Sequence, residues 1–405
     1  MLLKFQKHIS ENLAFLREKK LLLAVSGGID SMVLAQLLKL SGHNIYVAHC
    51  NFKLRGSESD EDQKFIENFA FENSFKLYST SFDTATFAKD NKLSVQVAAR
   101  QLRYIWFHQL LQENGLDFIL TAHHLDDNVE TFMINFSRGT GLDGLTGIPA
   151  QNGRIIRPLL PFSREEIERF ASENSVTWRE DSSNASDKYL RNKLRHSIIP
   201  MLKDLNPAFL NSFQNTLNHL QQAKSLADDA SVLVYKQVVA EKDSKKYFRL
   251  FDLKRLPNYK AYLFQWLQPF GFKSWEDIYG LTQAQSGKLI LSESYRLLKD
   301  RDFLILEPIP AHDPAVYEIG EDSEISFPIQ LRTATVSALG KADSHVIFAD
   351  KEKLKFPLSI RRWREGDYFC PIGMDGTKKI SKYFKDEKMS LSDKEDTWLL
   401  LSENQ

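Results

Sequence analysis

The chain has 405 residues, 42% hydrophobic and 26% charged, a balance ordinary for a globular protein and a length that suits two or three domains. Its 53 basic and 53 acidic residues cancel, which excludes a polycation and leaves local patches to hold any nucleic-acid partner. The absence of a run of roughly twenty apolar residues argues against a membrane span, and the early polar turn of Met1–His8 against a secretory signal; Cys50 and Cys370, in neither a CxxC nor a zinc-like pattern, point to a reduced cytoplasmic setting.

Short apolar runs then alternate with amphipathic stretches. Leu21–Val25 reads as a buried strand, followed by a glycine loop and a helix with Leu34, Leu37 and Leu38 inward. Further strands are expected at Asn44–His49, Lys76–Phe82 and Asp117–Ala122. Helices are expected at Asp60–Glu72, at Ser94–Glu113 ended by Asn114-Gly115, and at Asp126–Ser137 ended by Gly139. This spacing predicts an α/β fold in which a parallel sheet carries helices on both faces and binds its ligand at the strand C-termini. Residues 163–240 read as helical and charged, with Pro200 and Pro207 as punctuation. A small α/β unit is expected over 241–307, closing on a hairpin of Gly287–Leu291 with Phe303–Leu306. Pro308, Pro310 and Pro314 mark a linker to a strand-rich segment, 315–405. The expected domains are therefore a catalytic domain over 1–206, a helical linker over 207–240, and two smaller α/β domains over 241–310 and 315–405.

Ser26-Gly27-Gly28-Ile29-Asp30-Ser31 lies between the first strand and its helix, where backbone N–H groups and a helix N-terminus favour phosphate. The glycines allow close backbone approach, and Ser26 and Ser31 add hydroxyl donors. Asp30 has the wrong charge for phosphate unless a cation lies between, which implies Mg²⁺ bridging carboxylate and pyrophosphate. No Gly-Lys-Ser/Thr follows, so this is not a Walker A loop.

On the helix from Asp126, Val129, Phe132, Met133 and Phe136 share an apolar face, and Asp127 and Glu130 project together opposite it. Two adjacent carboxylates are comfortable either solvated at the helix N-terminus or facing a cation. Arg100 and Arg103 are three apart, Arg191 and Arg195 four apart; each pair forms surface salt bridges or recognises an anion. Residues 351–388 hold eleven basic against six acidic residues, with Trp363, Tyr368 and Tyr383 interleaved, either a solvated face or a track for an RNA backbone.

The loop resembles that of the ATP-pyrophosphatase (PP-loop, adenine nucleotide alpha hydrolase-like) family, whose members cleave ATP to AMP and pyrophosphate. Within it the chain is similar to tRNA(Ile)-lysidine synthetases over nearly its whole length. The supporting stretches are His49–Arg55, Ala99–Tyr104, Thr121–Thr131, Arg138–Gly141, Arg157–Leu159, Glu180–Asn184, Arg191–Arg195, Arg361–Asp367 and Lys378–Ser381.

The resemblance implies ATP at Ser26, Gly27, Gly28, Ile29, Asp30 and Ser31, with Mg²⁺ at Asp30. It implies catalytic roles for Asp30, His123 and Arg195, with His123 touching the adenylated intermediate. Free L-lysine would be held by Arg103 through its carboxylate and by Asp127 and Glu130 through its amines. Arg191, Arg361, Arg362, Arg364, Lys378 and Lys379 would contact a tRNA(Ile) with a CAU anticodon, the last domain gripping the acceptor stem. In relatives further strands follow the Trp-Leu-Leu segment, so with the sequence stopping at Gln405 either the last domain is shortened or its small sheet ends early. A homodimer stays open. The rival enzyme, a tRNA thiolase, would need a cysteine pair or iron–sulfur ligands, and an amidotransferase-fed synthetase a glutaminase domain. The rival from another class is an RNA-binding protein without catalysis.

Overall fold

Leu21, Leu22 and Leu23 are wholly buried, which places the first strand in the middle of a sheet covered on both faces. The computed structural model describes residues 1–180, 190–309, 315–338, 345–371, 376–389 and 391–403, in two compact units, Met1–Asp228 and Asp229–Gln405. Asp181–Asn184 of the sequence motif and Pro310 and Pro314 of the expected linker lie outside the described residues.

The first unit opens with α1 (Leu2–Asn12), then β1 (Leu21–Ala24), α2 (Ile29–Leu40), β2 (Ile45–Asn51), α3 (Ser57–Glu72), β3 (Lys76–Ser81), α4 (Thr84–Asp90) and α5 (Val95–Glu113). It continues with β4 (Phe118–Leu120), α6 (Leu125–Arg138), α7 (Leu142–Leu145), β5 (Gln151–Asn152), β6 (Ile155–Ile156) and α8 (Arg164–Glu173). After Leu190 come α9 (Leu190–Lys193), a π-helical turn at Leu194–Ile198, α10 (Ile199–Leu205) and α11 (Phe209–Val238), which ends in the second unit.

The sheet runs β3-β2-β1-β4-β6-β5, parallel throughout except for β5, which pairs antiparallel with β6. Alternation along β1 divides the interior: Leu21 and Leu23 pack with Phe5, Val33, Leu37, Ile167 and Phe170, and Leu22 with Phe107, Leu110 and Ile119. The parallel sheet follows the sequence expectation, whereas α1 and the β5–β6 hairpin had no sequence assignment. In α1, Phe5 and Ile9 sit one helical turn apart and are the buried positions, too few to stand out in a polar segment. Strand order reverses at β1, which has β2 on one side and β4 on the other. The Ser26–Ser31 loop leaves the end of β1 and the Thr121–Asp127 segment leaves the end of β4, so the two motifs flank the switch point, where open α/β sheets bind ligands.

The second unit holds β7 (Val239–Lys242), β8 (Lys245–Arg249), α12 (Leu250–Lys254), α13 (Tyr259–Leu267), α14 (Trp275–Leu281), β9 (Leu289–Leu291), β10 (Tyr295–Asp300) and β11 (Phe303–Pro308). Their antiparallel sheet runs β7-β8-β11-β10-β9. The expected hairpin of 287–291 with 303–306 is corrected: β10 lies between them and pairs with both. Arg296 and Lys299 disguised this strand as a surface turn, yet both are buried. Arg296 pairs in register with the equally buried Glu307, their side chains 2.9 Å apart.

Beyond it come β12 (Tyr317–Ile319), β13 (Glu324–Ile325), β14 (Leu331–Arg332), β15 (Leu358–Arg362), β16 (Tyr368–Phe369), β17 (Lys378–Lys379), α15 (Ile380–Asp386), α16 (Leu391–Glu395) and β18 (Trp398–Leu401). The antiparallel sheet β12-β15-β18 packs Ile319, Leu358 and Ile360 into a small core. No helix among the described residues is long and apolar enough to cross a membrane.

Candidate active site

The glycine loop is closed by its own serines. Ser31 Oγ donates to the Gly28 carbonyl at 2.8 Å and accepts from the Ser26 amide at 3.3 Å. Gly27 has φ +89°, a conformation that excludes side chains on backbone grounds. Gly28 has an ordinary φ of −73°, so its value is the bare backbone it offers a ligand, not conformational freedom. The amide of Arg179 donates to the Gly27 carbonyl at 3.0 Å, and its side chain reaches Asp62 at 2.6 Å and Glu61 at 2.9 Å, tethering the loop to α3.

Asp30 stands in the first turn of α2. Arg164, at the start of α8, places Nη1 at 2.8 and 2.9 Å from its two carboxylate oxygens. Burial pushes the Asp30 carboxyl up, with Asp127 adding to the rise; His124 and Arg164 oppose it without cancelling it. His124 is buried among three carboxylates, with Nε2 3.7 Å from Asp30 and 3.5 Å from Asp127, and Nδ1 3.8 Å from Asp126. A divalent cation near Asp30 and Asp127 would relieve their repulsion. Among the described residues no cluster of three or more His, Cys, Asp or Glu could hold a metal alone, so phosphate oxygens would have to complete the shell, as suits Mg²⁺.

Asp127 and Glu130 lie side by side on α6, as their spacing requires, but they are not solvated. Glu130 is wholly buried, with Arg195 Nε 2.6 Å from one oxygen and Arg191 Nε 2.5 Å from the other. Asp127 takes Arg191 Nη2 at 3.0 Å and Arg195 Nη2 at 3.4 Å. Burial acts upward on Asp127, but His124, Arg191 and His123 outweigh it and hold its carboxyl below the usual range. Of the two sequence readings, the solvated helix end is therefore overturned and the cation-facing one is found, with arginines as the cations. Arg195 sits in the π-helical turn, an irregularity that often marks functional sites.

His123 Nδ1 lies 3.0 Å from Thr121 Oγ1, and burial pushes its pKa down to about 4. The folded protein keeps this ring neutral down to about pH 4, whereas the unfolded chain takes up a proton below about 6.5. The stability carried by the neutral ring is thus complete above about pH 6.5 and drains away towards pH 4. Thermal melts of the wild type and His123→Asn between pH 7 and 4.5 check this: the variant should lose less stability on acidification. Arg103 stacks its guanidinium 5.1 Å from the Phe52 ring centre. Burial pushes the Cys50 thiol up to about 12, so it is no thiolate at neutral pH.

Sequence reasoning missed Arg164, Asp126, His124, Lys203 and Arg179. Asp126 is a hub: it accepts the Arg164 amide at 2.8 Å and Lys203 Nζ at 2.8 Å, joining the starts of α6 and α8 to α10. The Ser163–Glu166 capping box, legible as Ser-x-x-Glu, could have marked α8's start beside the site.

In the second unit the basic residues divide. Arg361 is turned inward and forks onto Asp367 at 2.8 and 2.9 Å, which makes it a sheet-bracing residue and corrects its expected exposure to RNA. Arg362 covers the Trp398 ring at 4.2 Å, and Lys378 pairs with Asp386 at 2.8 Å. Arg364 and Lys379 are exposed.

A glycine loop and an arginine-covered carboxylate pair flank a parallel-sheet switch point, and a family model described as PP-loop domain matches residues 1–202. A second, the TilS substrate binding domain, matches 241–309. The tRNA(Ile)-lysidine synthase of Bacteroides thetaiotaomicron is 37% identical over 97% of this chain and 91% of its own length. Those of Parabacteroides distasonis and Porphyromonas gingivalis are 37% and 34% identical, each over 95% of this chain and 89% of the relative. The chain belongs to the tRNA(Ile)-lysidine synthase family.

Proposed function

We propose that this enzyme ligates free L-lysine to C2 of the wobble cytidine of a CAU-anticodon tRNA(Ile), consuming ATP and giving lysidine, AMP and pyrophosphate. The observation that carries the reading is the carboxylate pair Asp127 and Glu130 set beside Asp30 at one switch point, an amine site next to a pyrophosphate site. The cytidine O2 attacks the α-phosphorus of ATP, forming an O–P bond as the bond to pyrophosphate breaks. The lysine ε-amine then adds to C2, loses a proton, and expels AMP.

Mg²⁺, where bound at Asp30, would neutralise charge on the departing pyrophosphate. The amides of the 26–31 loop and the hydroxyls of Ser26 and Ser31 hold the phosphates. Asp127 and Glu130 bind the amines once Arg191 and Arg195 yield or share them, and Arg103, with no carboxylate ion pair among the described residues, takes the lysine carboxylate. Arg195, released towards the reacting centre, stabilises negative charge, while neutral His123 contributes a hydrogen bond to the adenylated base rather than charge. Residues 1–206 carry this chemistry, and the domains at 241–310 and 315–405 hold the tRNA, with Arg364 and Lys379 on its backbone. A thiolase reading lacks support, because Cys50 is a half-buried thiol that stays protonated at neutral pH.

Lys379→Ala should weaken tRNA binding roughly threefold to tenfold and flatten its salt dependence by about one phosphate contact. Arg361→Ala should instead destabilise the fold by about 2 kcal/mol. Salt-titrated binding and thermal melts separate the two. The proposed activity itself is tested by tRNA-dependent release of AMP with lysine incorporation.

A further inference from the structure

We propose that Arg164 is a pyrophosphate-binding residue, parked on Asp30 in the free protein and handed to the phosphates when they arrive. The inference rests on the reading that the 26–31 loop cleaves ATP between its α- and β-phosphates.

Three observations carry it. First, the guanidinium stands where the phosphates must come, since Nη1 lies within 2.9 Å of both Asp30 oxygens, in the first turn of the helix that the loop opens. Second, its root is fixed by the backbone while its head is held by ion pairs, to Asp30 at 2.8 Å and to Glu168 at 2.7 Å. The Arg164 amide is held by Asp126 at 2.8 Å, Asp126 is held in turn by Lys203, and Ser163 and Glu166 cap the helix start. The side chain is 37% exposed, and its second partner, Glu168, is more exposed still at 53%. The head can therefore swing through an ångström or two without disturbing α8. Third, the neighbouring cations serve other acids: Arg191 and Arg195 lie on Glu130 and Asp127, Lys203 on Asp126, and Arg179 on Glu61 and Asp62.

Charge then dictates the exchange. Pyrophosphate brings several negative charges beside Asp30 and Asp127, and a cation bound with it would compete with Arg164 for Asp30. The displaced guanidinium is left facing phosphate oxygens, with a fork geometry that suits them. Arg164 thus works twice, as counter-ion to Asp30 before binding and as phosphate ligand after it.

The test uses the full-length enzyme, its Arg164→Gln and Arg164→Lys variants, and pyrophosphate and AMP as separate probes, with calorimetric binding measured across a Mg²⁺ series. Arg164→Gln should weaken pyrophosphate binding about 10- to 100-fold. AMP affinity should stay within about twofold, and less Mg²⁺ should be needed for half-maximal binding because Asp30 has lost its competitor. Arg164→Lys should fall between variant and wild type, and it decides the matter if the glutamine variant does not fold. Unchanged pyrophosphate affinity in a folded variant, or equal loss of pyrophosphate and AMP, overturns the proposal. If the wild type itself binds neither pyrophosphate nor AMP, the ATP-cleaving reading has failed instead.

Discussion

Asp30→Asn is expected to lower AMP formation at least about 1000-fold while leaving the thermal transition where it was or slightly higher. The two halves of this result share one cause. Burial and the neighbouring Asp127 push the Asp30 carboxyl up, so its ionised form is held at a cost to the fold even with Arg164 and His124 beside it. A neutral amide of the same shape removes that cost, and with it the charge that a cation on the departing pyrophosphate requires. Such opposition of stability and activity is what a charge placed for chemistry produces. AMP release by the variant and its melting curve check both halves. A variant that melts far below the wild type would show Asp30 to be a structural acid.

Glu130→Gln should separate the two half-reactions. tRNA-dependent ATP–pyrophosphate exchange should persist within a few-fold, whereas the lysine concentration for half-saturation should rise about 100-fold, as expected when a charge-assisted bond to an ammonium is lost. Glutamine is the informative substitution. Glu130 is wholly buried between Arg191 and Arg195, and alanine would strand two guanidinium groups over a cavity, at a cost of about 3–5 kcal/mol. Glutamine keeps an oxygen for one arginine and the side-chain volume. Lysine saturation identical to wild type would remove Glu130 from the amine site and leave it an internal brace.

The sequence announced the parts of the site that are contiguous. Ser26–Ser31 and Thr121–Thr131 each carry several specified residues at a strand-to-helix junction, and alternating apolar runs placed both at the same end of one parallel sheet. What could not be read was what the acids face. Spacing put Asp127 and Glu130 on one side of α6 but left open whether that side met water, and the arginines covering them lie more than sixty positions away. Arg164 and Asp30 are 134 positions apart, and nothing local in Arg164-Glu165-Glu166 distinguishes it from a surface helix start. The basic stretch failed in the opposite direction. Counting charges at 351–388 treated every cation alike, whereas the fold commits Arg361 to Asp367 and Lys378 to Asp386 and leaves Arg364 and Lys379 exposed. The buried strand Tyr295–Asp300 went unseen because a charged residue is called surface unless its partner is known, and its partner, Glu307, comes from the next strand.

The most direct measurement mixes the enzyme with ATP, Mg²⁺, isotopically labelled lysine and CAU-anticodon tRNA(Ile), and follows label in the tRNA together with AMP. Label should enter the tRNA one-for-one with AMP released, only when that tRNA is present, and should be lost in Asp30→Asn. Label absent from the tRNA while a sulfur donor is incorporated, or tRNA binding without AMP release, would contradict the account.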